Sequence, residues 1–356
     1  LGKKIQKARE CRSWPHTMLH LLVLPSMLLS LVVIESTLHT RHRPPPSVWS
    51  HVETPARQEA AAAALRAAPF AARLDFRAAG VGVTHDAAAS SLLAVHDAEH
   101  LQAVRRLSTR GGGFDADTYC APGSWEAMLD ASAAWTEALE LAARAEGPAL
   151  ALARPPGHHA TRGTAMGFCL VNFAAAAAAA VLGSDPNARV AILDWDVHHG
   201  NGVAEMVAEL GPRVRYCSTH ERGGFPRTGL DETARGTHGN LLHLPLPTGS
   251  SGEAYLRRLR DEALPFLLAA EEGGEGGAHW PTVLLICAGY DALAADELAG
   301  LGLTPEDFAT SIDVIVKEFG YPAEKLALGL EGGYCLDQQV GMPAGLRSTV
   351  GALVEG

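Results

Sequence analysis

Two kinds of apolar stretch alternate along the chain. Val190 to Trp195 (VAILDW) and Thr282 to Cys287 (TVLLIC) are short and almost continuously apolar. Such runs suit strands buried on both faces, because a half-exposed strand would alternate apolar and polar positions. Ala60 to Ala68 and Phe173 to Leu182 are alanine-rich, and Glu126 to Glu146 is a longer stretch of helix-forming residues. These predict helices, since alanine loses no side-chain entropy on entering one. Strands alternating with helices predict an α/β domain around a mostly parallel sheet. Glu271 to Gly277 (EEGGEGG) predicts an exposed loop before the Thr282 strand, and no internal repeat interrupts the pattern.

The first forty residues follow a different pattern. Lys3, Lys4, Lys7, Arg9 and Arg12 precede an uncharged run from Ser13 to Ile34, whose core from Leu21 is almost wholly apolar. A basic start followed by an apolar stretch reads as a targeting or membrane-anchor segment, or else as a poorly ordered extension. The apolar core is short for a full span, and Pro25 interrupts it. Arg41 to Pro46 (RHRPPP) reads as a linker. The predicted organisation is an N-terminal extension over residues 1–44 followed by one catalytic domain over 45–356. The compartment is left open between cytoplasm, nucleus and organelle.

Composition narrows the function classes. The chain has 356 residues, 47% hydrophobic and 19% charged, which is enough apolar surface to offset chain entropy. The formal net charge of −11 argues against a protein that binds nucleic acid by neutralising phosphates. It is compatible with cationic substrates such as lysine-rich tails. Cys11, Cys120, Cys169, Cys217, Cys287 and Cys335 are widely spaced without a CxxC pair. They read as reduced, mostly buried thiols.

The chemistry concentrates in four short segments. Ile192 to Gly202 reads ILDWDVHHGNG. If the strand continues through it, Asp194, Asp196 and His198 share one face by period-two alternation. Burying three such residues together is costly unless they bind something. The Thr282 strand runs into AGYDAL, placing Asp291 at its carboxyl end, where sites gather in parallel sheets. Two carboxylates and one imidazole leave a zinc ion a vacant position for water, as in a catalytic site. Arg154 to Ala160 (RPPGHHA) puts His158 and His159 directly after a rigid turn. Adjacent histidines can act as base and acid if neighbours set their protonation differently. Asp194 would favour the charged form of one, and Asn201 would orient the other without adding charge. Leu330 to Tyr334 (LEGGY) turns sharply at its glycines and can present the Tyr334 hydroxyl to an oxyanion. Singly, each segment is as easily a turn or a solvated strand end; the force lies in all four occurring in one chain.

RPPGHHA, GFC (Gly167 to Cys169), DWDVHHGNG, AGYDAL and LEGGY occur in the order found in zinc-dependent histone deacetylases, and the chain resembles that family from about His51 (HVETPAR) to its C-terminus. Trp195 and Asn201 are similar to class II members and their bacterial relatives. The resemblance implies a three-layer α/β fold of the arginase/deacetylase type, with a central, mostly parallel eight-stranded sheet. It implies zinc on Asp196, His198 and Asp291, proton transfer by His158 and His159 backed by Asp194 and Asn201, and Tyr334 at the oxyanion. His199 would support the metal site from behind without binding the ion. Phe168 and Phe225 match the aromatic pair lining an acyl-lysine tunnel, with ordinary core packing as the alternative, and Gly167 would sit at its floor. A potassium ion would take Asp194 and Ser218 together with the backbone of Asp196, His198 and Thr219. The implied reaction is hydrolysis of acyl-lysine amides of proteins, histones among them with a role in chromatin regulation, by water activated at the metal site.

Three positions depart from the pattern. Arg227 in FPRTG stands where the family usually has Gly, His243 where it has Asn, and Gly252 where it has Asp. The first adds a cation near the tunnel mouth; the other two are expected to affect loop structure more than chemistry. The nearest competing function is an acetylpolyamine or other small acyl-amine amidohydrolase. Polyamine-selective relatives place an acidic residue where Leu298 stands in DELAGL, and Glu297 is its neighbour. A non-catalytic acyl-lysine-binding scaffold is disfavoured by the presence of Tyr334 and both tandem histidines. A two-manganese ureohydrolase of similar fold would need more carboxylates.

Overall fold

The structure, a computed structural model, describes residues 30–45, 51–270 and 280–356. The predicted Glu271–Gly277 loop and the basic N-terminal run lie outside these residues, as does the apolar stretch up to residue 29. Among the described residues there are ten strands: β1 (Leu31–Glu35), β2 (Leu74–Ala78), β3 (Gly112–Gly113), β4 (Tyr119–Cys120), β5 (Ala149–Leu152), β6 (Val190–Asp194), β7 (Val214–Glu221), β8 (Leu241–Leu246), β9 (Val283–Ala288) and β10 (Leu326–Leu330). β3 and β4 form a small antiparallel ribbon. The other eight form one sheet in the order β2-β1-β5-β10-β9-β6-β7-β8. Every pairing in it is parallel.

The continuous apolarity of the predicted strands follows from this layering. In β6, Val190 and Ile192 join one core while Ala191 and Leu193 join the other. β9 divides the same way, with Val283, Leu285 and Cys287 on one face and Leu284, Ile286 and Ala288 on the opposite one. Helices Ser124–Ala143 and Phe173–Ser184 cover the first face, and Pro55–Arg66, Pro305–Asp313 and Met342–Glu355 the second. Both faces are covered, so neither set of side chains can be polar. The alanine-rich Phe173 helix is buried along most of its length, and small residues let it pack closely on the Ser124 helix.

The boundary expected after residue 44 is corrected. Leu31–Glu35, the end of the presumed anchor, is a strand inside the sheet, paired with both β2 and β5. Val32, Val33 and Ile34 are buried. Its apolarity therefore serves the sheet core, which a five-residue strand needs as much as a membrane segment does. The presumed linker also starts inside the domain: His39–Arg41 is a helical turn, and buried His42 hydrogen-bonds the Ser124 hydroxyl at 2.7 Å. Among the described residues no helix is long and apolar enough to cross a membrane. Cys120, Cys169, Cys217 and Cys287 are buried free thiols, and Cys335 is half-buried.

A buried ion network ties this N-terminal part to the rest. Arg154 donates to both carboxylate oxygens of Glu53 and to the carbonyls of His39 and His42. Arg57 adds a second guanidinium 3.4 Å from Glu53. Burial alone would raise the Glu53 pKa, but Arg154 outweighs it and holds it down at about 2. Its stabilising effect is therefore complete above the ordinary value near 4.5 and is lost as the pH falls through about 2. Glu53→Ala would leave two buried guanidiniums without a counter-charge, at a cost on the order of 3–5 kcal/mol. The expected result is a large fall in Tm at neutral pH that shrinks toward pH 2; an unchanged Tm would show that the network contributes nothing net.

Candidate active site

The four strands at the middle of the sheet, β5, β10, β9 and β6, are neighbours, and each carries one of the four sequence segments at its carboxyl end. β5 leads into Arg154–His159, β10 into Glu331–Tyr334, β9 into Gly289–Asp291 and β6 into Asp196–Asn201. Segments up to 180 residues apart therefore meet at one edge.

Asp196, His198 and Asp291 offer ligand atoms within 4.8 Å of one another, the one such group of three among the described residues. His198 Nδ1 lies 3.2 Å from an oxygen of Asp196 and 3.1 Å from one of Asp291. Both carboxylates are buried. Burial would lower the His198 pKa, but its hydrogen bonds to the two carboxylates raise it to about 10. Burial and the Asp196 charge raise Asp291 to about 6. Burial would raise Asp196 as well, yet His158 and His198 hold it below the carboxylate range. Two buried carboxylates on one imidazole call for a compensating cation, and this oxygen and nitrogen donor set fits a divalent metal that would displace the histidine proton. Gly332 completes the cradle: its N–H donates to Asp196 at 2.8 Å, and a Cβ there would stand 2.1 Å from an Asp291 oxygen.

Strand alternation does not account for this cluster. β6 ends at Asp194, and Asp196 and His198 lie in the following loop. Asp194 instead accepts from the Tyr216 hydroxyl at 2.9 Å and faces His158 Nδ1 at 3.1 Å. Asn201 Oδ1 lies 2.9 Å from His159 Nδ1. The two histidine rings are 4.0 Å apart, centre to centre. Burial lowers His158, but the charges of Asp196, Asp194 and Glu331 prevail and raise it well above its ordinary value. Burial and the two neighbouring histidines push His159 well below. The surroundings thus favour the charged form of His158 and the neutral form of His159, the asymmetry that lets one give a proton and the other take it.

A cavity of about 340 Å³ opens onto this edge, lined at its inner end by His159, His198 and Tyr334. Phe168, Phe225 and Gly167 form its walls, and Leu298 lies at its half-exposed rim. Phe225 stands edge-on to His159 at 4.9 Å, and Phe168 edge-on to Tyr334 at 5.5 Å. Arg57, buried, stacks its guanidinium 4.6 Å over the Tyr334 ring and donates to the carbonyls of Gly333 and Glu331. Burial raises the Tyr334 pKa, against the opposing charge of Arg57, so its hydroxyl stays protonated and able to donate. Asp115, Ala116 and Asp117 form a wall that the sequence reading passed over. They follow the β3 strand in a turn held by Asp115, and no periodicity marks such a turn. Arg57 was legible only as the last residue of HVETPAR.

The three departures meet three different local environments. Arg227 sits at φ 66°, in the left-handed region that favours glycine. Gly252 opens a helix where a Cβ would stand 2.1 Å from the Asp307 carboxylate, so any side chain there would have to displace that carboxylate. His243 corrects the expectation of a loop effect: it lies in β8, buried, with Nδ1 3.1 Å from His199 Nε2. His199 Nδ1 in turn meets the Thr228 hydroxyl at 2.7 Å, so His243 braces the segment that carries Phe225.

A profile of the histone deacetylase domain matches residues 51–344. The chain is 39% identical over 307 residues to the uncharacterized protein slr0245 of Synechocystis, covering 86% of this chain and 94% of that protein. It is 33% identical to the histone deacetylase-like amidohydrolase of Pseudomonas aeruginosa, over 82% of this chain and 74% of that one. The crystal structure of the HDA15 HD domain superposes with a TM-score of 0.78 at 29% identity, covering 92% of this chain and 89% of that domain. The match extends through the parallel eight-stranded sheet to the segments at its central carboxyl edge, and on these grounds the chain belongs to the histone deacetylase family.

Proposed function

We propose that the chain hydrolyses acyl-lysine amides, with zinc held by Asp196, His198 and Asp291. The observation that carries this reading is the convergence of a three-donor cluster, a split histidine pair and a protonated tyrosine at the end of one cavity with aromatic walls. The ion would act as a Lewis acid on the acyl carbonyl and acidify a water. Phe168 and Phe225 flank the methylene chain, and Gly167 leaves room beside His159, where a Cβ would approach to 2.5 Å. Tyr334 donates its hydroxyl to the developing oxyanion. Neutral His159 accepts the water proton, and cationic His158, held by Asp194, keeps positive charge beside the site until a histidine protonates the leaving amine.

Potassium fits beside β6. His220 Nε2 faces the Gly229 carbonyl at 3.0 Å and so carries the proton of the neutral ring. Its Nδ1 then accepts from Ser218 at 2.9 Å, leaving the hydroxyl oxygen free for a cation next to Asp194. The Thr219 hydroxyl donates to the backbone carbonyl of Asp194 at 3.3 Å, which keeps the Thr219 backbone beside the same place.

Lysine is favoured over polyamine because Leu298 lines the reaction cavity, whereas Glu297 does not line it and faces a neighbouring one. Leu298→Glu is expected to shift the ratio of acetylpolyamine to acetyl-lysine turnover roughly five- to tenfold toward the polyamine, since one half-exposed charge pair contributes on the order of 1 kcal/mol. An unmoved ratio would refute reading of charge at this rim.

The reading is tested on the full chain, because truncation at residue 44 would remove β1 from the sheet. Zinc content is measured, and acetate release from an acetyl-lysine peptide is followed with and without a hydroxamate. Stoichiometric zinc with hydroxamate-sensitive release is expected. Zinc with release only from acetylated polyamines would overturn the substrate class, and a folded protein that takes up no zinc would overturn the metal assignment.

A further inference from the structure

Glu331 is the buried ionisable group at this edge to which the proposed reaction assigns no task. It begins the segment that ends in Tyr334, and none of its surface is exposed. Its Oε2 accepts from the N–H of Gly157 at 2.6 Å and from that of His158 at 3.2 Å. Those two groups form the turn that presents the tandem histidines. Its own backbone is fixed from both sides, donating to the Ala288 carbonyl at 3.1 Å and accepting from Arg57. One residue on, Gly332 donates to Asp196. The side chain therefore bridges the carboxyl ends of β10 and β5 while its neighbours reach the metal cluster and Tyr334.

The geometry points to Glu331 as a positioning residue for amide hydrolysis: its carboxyl oxygen clamps the Gly157–His158 turn to the Tyr334 segment, so that the proton-transfer pair and the oxyanion donor keep one fixed separation. This inference rests on the reading of the site given above. Two backbone donors on one oxygen fix the turn in distance and direction, which a single bond would not. The remaining oxygen, Oε1, is buried with no hydrogen-bond partner among the described residues, an arrangement that is costly unless the group has a task. Burial raises the Glu331 pKa to about 8, against the opposing charge of His158, and the clamp itself uses only the acceptor oxygen. Gln keeps that oxygen at the same reach; Asp withdraws it by one methylene; Ala removes it. Displacing a catalytic group by about 1 Å costs on the order of 100-fold in rate without weakening substrate binding much.

The test compares Glu331→Gln, Glu331→Asp and Glu331→Ala in the full chain. For zinc-loaded protein, kcat on an acetyl-lysine peptide should fall between about tenfold and about 100-fold in the Asp and Ala variants, with KM within about threefold of the parent. The Gln variant should recover to within a few-fold. A residue needed only for folding would lower Tm without splitting kcat from KM. A second readout needs no substrate: the short Gly157 hydrogen bond should place its amide proton downfield in the NMR spectrum, and the signal should move upfield in the Asp and Ala variants but not in Gln. A parent that releases no acetate would sink the functional reading, and the Gly157 signal would still decide the clamp. Parental kcat in the Asp variant, an unmoved Gly157 signal in it, or a Gln variant as impaired as Ala would each overturn the inference. If the Ala variant fails to fold, the Asp and Gln pair decides.

Discussion

Asp196→Ala is expected to yield a folded protein that retains no zinc and releases acetate at background. Asp196 supplies one of the three converging donors, and the two left behind, Asp291 and His198, make an incomplete set for a tetrahedral ion. The substitution also removes the acceptor for the Gly332 N–H, so local disorder could mimic ligand loss. Asp196→Asn separates the two. It keeps the shape and one acceptor oxygen but removes the negative charge that compensates the ion. Metal analysis of both variants, alongside circular dichroism to establish folding, is the measurement. Both should lose zinc while Asn keeps the parental Tm more closely. A fully loaded Ala variant would refute the ligand assignment.

Tyr334→Phe should lower kcat by about 10²–10³ with little change in KM, the loss expected when one oxyanion donor is removed. The substitution is a clean one here. The ring is held by Phe168 on one side and by the Arg57 guanidinium over its face, contacts that phenylalanine retains. The Tyr334 backbone is fixed separately by its N–H to Asp296 at 2.6 Å. Substrate positioning should therefore survive while transition-state stabilisation is lost, which steady-state kinetics on zinc-loaded protein would read as a kcat effect. Turnover within a few-fold of the parent would remove Tyr334 from the oxyanion role.

Much of this site was legible without coordinates because its residues are local in sequence. DWDVHH, PPGHH and LEGGY each bring chemistry and turn residues together within a few positions. That Asp194 would back one tandem histidine and Asn201 the other was also anticipated; the structure assigns Asp194 to His158 and Asn201 to His159. What failed was reasoning from periodicity across a strand end. Asp194, Asp196 and His198 were expected on one face, but alternation stops where β6 stops: Asp194, its last residue, meets His158, while the loop brings Asp196 and His198 together with Asp291. The last residues of the N-terminal apolar stretch, Leu31 to Ile34, were misread for a different reason. A buried strand and a membrane-directed segment make the same local demand, and only the partners β2 and β5 tell them apart.

The sequence by itself determined the element types, through apolar continuity and alanine content, and the residue chemistry available at each turn. The close approaches at Gly332 and Gly252 became visible only with the carboxylates around them. The tertiary structure alone decided that β5, β10, β9 and β6 are neighbours, and hence that four distant segments form one site. It alone decided that Leu298 rather than Glu297 faces the cavity, and that His243 reaches His199 across two strands. The division has a physical cause. Helix and strand formation answer to forces acting over a few residues, whereas strand order and side-chain aim at loop ends are set by packing between segments far apart in the chain, which leaves no periodic trace in it.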